Sequence, residues 1–339
     1  MASLSFLLGM VPATEKVETA DDQLRADFQA YREFENSEEF DHYLELEKEM
    51  KSSNFALRKK KIKKSEYKDS EEYHKETEYK VLKKSDKVVW YYKTKKKNPF
   101  REIEKWDLTF EEKFNKDKLD TDKWITRYYW GEEGMKNSFA MEDDKSFPTN
   151  GENIEFYDNK ARIVTRAGKA EGLVWRGEQG FVIESFDFTT GLISSAKSFR
   201  QKYGIFKAKV KMAAGSVAQA FWMVSEQMLP HIDVARFENG KLYSNYFWGK
   251  NDSPHKSISK TSGSKYADNY FIYTLEWSPN KLVWKINDKV FKTQSSGVPQ
   301  EEMYINFSSN LKKDASESDL PSAMEIDWVR VYKLKDKKN

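Results

Sequence analysis

The sequence predicts a mainly β protein, an antiparallel β-sandwich preceded by an N-terminal α-helical repeat extension. Three observations predict it. From Trp106 onward the chain breaks into short β-rich runs separated by turn residues, with hardly any helical periodicity. Before residue 100 a segment repeats itself at an offset of 33 residues, with apolar positions near helical spacing. Aromatic residues make up 15% of a chain that is 33% charged, which fits a polar segment joined to an aromatic-rich core. The expected organisation is a charged helical module over residues 1–100 and a β domain over 101–339.

The first element, Ser3 to Ala13 (SLSFLLGMVPA), is apolar but short, and no Lys or Arg precedes it. A conventional signal peptide begins with a basic segment, so this stretch reads as a docking strand or a helix start, with an atypical or truncated signal as the alternative. Leu24, Phe28 and Tyr31 then suggest a helix. Two repeat copies follow: Phe34 to Phe40 (FENSEEF) aligns with Tyr67 to Tyr73 (YKDSEEY), and Lys51-Ser52 aligns with Lys84-Ser85. Each copy opens with a Ser suited to capping and two Glu that complement a helix dipole, and Phe40, Tyr43, Leu44 and Met50 recur near helical spacing.

Charge is unevenly spread. Residues 1–50 carry 4 Lys/Arg against 13 Asp/Glu, and residues 51–100 carry 17 against 7. These blocks predict pairing within the module or recruitment of charged partners. Two repeats are few for a free solenoid, so residues 1–100 are expected to bind protein partners or self-associate. The basic run Arg58 to Lys64 (RKKKIKK) reads as a solvated face of a lysine-rich chain, with a localisation or polyanion patch as the alternative.

In the β region, Gly204 to Met212 (GIFKAKVKM) alternates apolar residues with lysines, the period of a half-buried strand. Phe271 to Trp277, Leu282 to Ile286 and Ile326 to Tyr332 are further strands. Asn287-Asp288 and Ser278-Pro279-Asn280 mark hairpins. The chain has no Cys, which excludes disulfide scaffolds, thiolate metal sites and cysteine nucleophiles. A net charge of +3 argues against specific nucleic-acid binding, and no apolar run approaches the ~20 residues of a membrane span. No cofactor is implied. The four His residues (His42, His74, His231 and His255) form no ligand cluster, so no metal is expected.

Several of these runs resemble glycoside hydrolase family 16, the laminarinase and β-glucanase family. Phe110 to Asn115 with Leu119-Asp120 and Trp124 is similar to its opening. Phe188 to Ile193 leading into Tyr203 to Lys209 is similar to a characteristic strand pair. Ala220-Phe221-Trp222-Met223 resembles its Trp-containing strand, and Tyr273 to Asn287 and Ile326 to Tyr332 its closing strands. The order is preserved from about residue 106 to 334. The resemblance implies a concanavalin-like jelly roll with a glycan cleft on its concave face; residues 1–100 have no counterpart.

The family's catalytic strand reads E-x-D-x-x-E or E-x-D-x-E, and the matching stretch here is His231-Ile232-Asp233-Val234-Ala235-Arg236. The resemblance therefore puts His231 at the nucleophile position. Arg236 takes the acid/base position in a bulged register, or Ala235 in a regular one, and only Asp233 is retained. A retaining glycosidase needs two carboxyls ~5–5.5 Å apart, and arginine cannot cycle between acid and base. Glu238 is expected to alternate away from Asp233. No catalytic residue is thus assigned. Trp130, Trp175, Trp222 and Trp248 border the implied cleft and are open to either ligand stacking or packing, with Asp233 as a further ligand contact. Trp277, Trp284 and Trp328 lie in strong strand patterns and are expected to pack.

The leading functional expectation is a non-catalytic, glucanase-like structural or adaptor component of a larger assembly. The apparent lack of an export signal suggests a phage virion or tail protein, released by lysis. The alternatives are a lectin that holds a β-glucan or other glycan in the former cleft, and a β-glucan hydrolase with displaced carboxylates.

Overall fold

Serine side chains set the start of four helices. In the computed structural model, which describes residues 11–130, 137–250 and 253–336, Ser37, Ser52, Ser70 and Ser85 each accept a hydrogen bond from the backbone N–H three residues on. They cap α2 (Glu38–Met50), α3 (Ser53–Lys61), α4 (Glu71–Lys83) and α5 (Asp86–Lys97), which follow α1 (Thr14–Glu35). The caps at 37 and 70, and at 52 and 85, keep the repeat offset, so the repeated unit is a pair of helices. Tyr31, Phe34, Phe40, Tyr43, Val88, Tyr91 and Phe100 form its aromatic core. Leu46 is buried whereas Leu44 is exposed, reversing the sequence expectation for Leu44. The charge blocks pair internally: Arg58 and Lys75 meet Glu49, and Lys87 meets Glu39.

The described residues divide into two compact units, one of residues 18–106 and one of residues 11–17 with the described residues after 106. This division sets residues 18–106 apart from the β-rich unit. Val11 packs against the sandwich core. Asn287 Nδ2 donates to Pro12 O at 2.8 Å and to Thr14 Oγ1 at 2.9 Å, and Thr14 Oγ1 donates to Tyr270 O. These bonds group the segment from Val11 with the β-rich unit; the rest of the Ser3–Ala13 stretch lies outside the described residues.

Two sheets make up that unit. The larger contains β1 (Trp106–Glu112), β2 (Phe139–Met141), β3 (Ser146–Pro148), β4 (Ile154–Tyr157), β5 (Lys160–Arg176), β6 (Gly180–Thr190), β8 (Gly204–Lys211), β13 (Tyr270–Ser278), β14 (Lys281–Ile286), β15 (Lys289–Gln294) and β17 (Ser322–Leu334). The smaller contains β7 (Leu192–Ser194), β9 (Ala218–Val224), β10 (His231–Glu238), β11 (Lys241–Lys250), β12 (Ser253–Ser262) and β16 (Tyr304–Asn310), in the order β12-β11-β10-β9-β16-β7. Pairing is antiparallel except that β2 runs parallel to β5 and β3 parallel to β6. The alternation expected for Gly204 to Lys211 holds: Phe206, Ala208 and Val210 are fully buried. They face Phe221, Met223, Ile305 and Phe307 of the smaller sheet in one core. Trp277, Trp284 and Trp328 are buried as expected.

Gly204 has φ +126°, and a Cβ there would lie 2.1 Å from Tyr332 O. Only glycine fits where β8 enters against β17. Asn287 and Asp288, with φ of +47° and +62°, form the expected two-residue turn between β14 and β15.

Candidate functional site

Alternation along β9 and β10 sorts side chains between the inter-sheet core and the outer face of the smaller sheet. Phe221 and Met223 point inward; Trp222 points outward, paired across to Asp233. In β10, Asp233 pairs with Trp222 and Ala235 with Phe221, so Val234 is the extra residue of a β-bulge. Val234 and Ala235 both join the core. The bulge returns Arg236 to the outer face beside Asp233, while Ala235 joins the core. It also corrects the expectation for Glu238. That residue follows Arg236 by two positions and shares its face, because the bulge shifts the phase of the alternation by one residue.

Glu238 is engaged by its neighbour. Arg236 Nε and Nη2 lie 2.9 and 2.8 Å from Glu238 Oε2. Burial opposes the charge on Arg236, but Asp233 and Glu238 outweigh it and raise its pKa. Burial likewise works to neutralise Asp233; the hydrogen bond from His231, the charge of Arg236 and the Asn245 amide outweigh it and hold the carboxylate below its usual pKa. Asp233 Oδ1 lies 3.1 Å from His231 Nε2, and Asn245 Nδ2 donates to Oδ2 at 2.8 Å. With Asp233 ionised, Nε2 is the donor. The His231 ring stacks on Trp222 at 4.9 Å and 11°.

Around this strand lies a pocket of about 210 Å³ lined by Tyr128, Trp130, Met141, Trp222, Met228, His231, Asp233, Arg236, Ser308, Asn310 and Lys312. Trp222 Nε1 donates to Ser308 Oγ at 3.0 Å. Two buried polar atoms of the lining, Trp130 Nε1 and Asn310 Oδ1, have no hydrogen-bond partner among the described residues. Arg236 also borders a second pocket of about 530 Å³, with Asp143, Glu238, Lys312, Lys313 and Asp314. Lys312 is itself held by Asp144 at 2.6 Å.

Of the four candidate tryptophans, the structure brings Trp130 and Trp222 together in the pocket. Trp248 lies elsewhere: it packs against the inter-sheet core and stacks on Tyr246 at 4.6 Å. Trp175 stands on the β5–β6 hairpin, 40% exposed. Sequence reasoning missed Tyr128, Ser308 and Asn310. Tyr128 and Trp130 lie in the aromatic run Tyr128-Tyr129-Trp130, which is visible in the sequence, but nothing local says that this loop faces β9.

The model of Glycosyl hydrolases family 16 matches residues 141–330. The chain belongs to this family. Relatives of the family-16 chain include Glucan endo-1,3-beta-glucosidase A1 of Niallia circulans, 22% identical over 67% of this chain and 38% of that protein. Beta-glucanase of Fibrobacter succinogenes is 31% identical over 39% of this chain and 44% of that protein. The chain thus spans less than half the length of each of these two relatives. Among solved structures, the catalytic domain of a laminarinase from Thermotoga petrophila has a TM-score of 0.54 at 16% identity, covering 68% of this chain and 99% of that one. The kappa-carrageenase of Pseudoalteromonas carrageenovora has a TM-score of 0.54 at 18% identity, covering 67% and 94%. These likenesses agree with the jelly-roll sandwich described above.

The family-16 fold accordingly brings His231, Asp233 and Arg236 onto one face. Among the described residues lining the central pocket, Asp233 is the one carboxylate. It is committed to His231 and Asn245. The arrangement offers aromatic walls, a fixed carboxylate, a guanidinium and unpartnered polar atoms: groups that hold a polyhydroxylated ring.

Proposed function

We propose that this family-16 chain binds a glycan in the pocket beneath Trp130 and Trp222 without hydrolysing it. The observation that carries the reading is the pairing of aromatic walls with the unpartnered Trp130 Nε1 and Asn310 Oδ1. A buried donor or acceptor without a partner costs ~1–3 kcal/mol, and a sugar hydroxyl supplies both a donor and an acceptor. Sugar rings present C–H faces that match indole faces. Against hydrolysis stand His231 and Arg236 in place of the two carboxyls and the pairing of Glu238 with Arg236. The relatives' names make a β-glucan the first ligand to test.

Affinity electrophoresis in gels containing laminarin, lichenan or agarose tests this. The native chain is expected to be retarded by at least one polysaccharide, and Trp130→Ala and Asn310→Ala to lose the retardation while keeping native circular dichroism. Equal mobility of the native chain in all gels would contradict the reading.

A second reading concerns residues 18–106. Their repeated helix pairs support a docking or self-association module that attaches the glycan-binding unit to an assembly.

A further inference from the structure

A hairpin on the surface should alternate a covered apolar face with a polar face toward water. The β5–β6 hairpin does not. One face carries Val174 and Phe186, buried against Ala140 with Phe147 packed beside them. The opposite face carries Leu173, Trp175, Phe181 and Ile183, with Leu173 opposite Ile183 and Trp175 opposite Phe181. Trp175 is 40% exposed, Phe181 39% and Ile183 70%. The next pair along the same face is polar, Glu171 opposite Ser185.

Rings connect this face to the pocket in unbroken succession. Trp175 lies 4.9 Å from Phe181, and Phe181 5.1 Å from Phe139. Phe139 lies 5.1 Å from Tyr128, Tyr128 5.7 Å from Trp130, and Trp130 6.2 Å from Trp222. Phe139 and Tyr128 are buried, so they fix the platform relative to the pocket rather than touch a ligand. At the hairpin end Trp175 and Phe181 are exposed; at the pocket end Trp130 is half-buried and Trp222 is buried.

We propose that Trp175, Phe181 and Ile183 form an outer subsite for the glycan chain held in the pocket, so that one linear β-glucan contacts both. This rests on the glycan-binding reading of the pocket and extends it to a chain of several sugars. The two rings offer stacking faces, and Glu171 and Ser185 offer hydrogen-bonding groups to the flanking hydroxyls. A second copy of the chain is the less fitting occupant. The three side chains expose on the order of 300 Å², well below the ~800 Å² per partner of a stable protein interface.

Calorimetric titration of the full chain with laminaribiose and laminarihexaose tests the subsite. The native chain is expected to bind the hexaose more tightly than the biose. Trp175→Ala and Phe181→Ala should each weaken the hexaose about three- to tenfold, as expected for loss of one aromatic contact, and leave the biose unchanged. Unchanged biose binding also verifies folding. Ile183→Ser, at a more exposed position, provides an independent variant with a smaller loss. Hexaose affinity indifferent to all three variants, with both sugars bound, would overturn the subsite alone. Failure of the native chain to bind either sugar would overturn the β-glucan assignment and the subsite with it. A dimer in sedimentation that Trp175→Ala dissociates would make a second copy the occupant and also overturn the proposal.

Discussion

At the scale of single residues, the account turns on what occupies three outward positions of β10. The bulge at Val234 puts His231, Asp233 and Arg236 on one face, and we read them as standing where E-x-D-x-x-E would carry its two carboxyls. The variant His231→Glu with Arg236→Glu restores them. It is expected to release reducing ends from laminarin at a low rate, whereas the parent releases none and His231→Glu with Ala235→Glu also releases none. Turnover by the Ala235 variant would mean that the bulge closes in solution. Asp233 adds a pH dependence. Its folded pKa is depressed, so its contribution to stability is present above about pH 4, its ordinary value, and is lost as pH falls through the lower folded value. Asp233→Asn should remove that part of the acid transition and weaken the orientation of His231.

At the scale of elements, a buried cation of the larger sheet reaches the backbone of the smaller one. Lys292 of β15 donates to Ser244 O at 2.9 Å and Ser257 O at 2.8 Å, with its Nζ 4.6 Å from the Trp284 ring. Burial lowers its pKa to about 8, opposed by Asp233. Between about 8 and the ~10.4 of an unfolded lysine, the unfolded chain holds more protons. Stability from this group therefore rises with pH across that window, by at most about 3 kcal/mol. Urea denaturation of native chain and Lys292→Met at pH 7.5 and 10 should show the native chain gaining stability relative to the variant at the higher pH. A constant difference would mean that the carbonyls and ring keep Lys292 charged throughout.

Much of this scale was legible in the sequence. Two-residue alternation located Gly204 to Lys211, the turn chemistry of Asn287-Asp288 fixed the β14–β15 hairpin, and the Ser-Glu-Glu repeat marked α2 and α4. The bulge was not fixed by the sequence, because a one-residue slip leaves composition unchanged and is decided by packing of Val234 and Ala235 on the opposite sheet. Tyr128 and Asn310 were missed because their meeting depends on contacts between segments 182 residues apart. Trp248 and Trp222 look alike in sequence; only the register of β11 against β10 separates a core ring from a pocket ring.

At the scale of the whole molecule, a family-16 sandwich and a helical repeat unit share one chain. Fold confers a surface, and the side chains on it decide the chemistry. The central claim is that this surface holds a glycan and leaves it intact. The most direct measurement is prolonged incubation of the full chain with laminarihexaose at a concentration shown calorimetrically to saturate it, followed by chromatography of the recovered sugar. The account predicts saturable binding and recovery of the hexaose alone. Shorter oligosaccharides accumulating in proportion to protein and time, and abolished by Asp233→Asn, would contradict it.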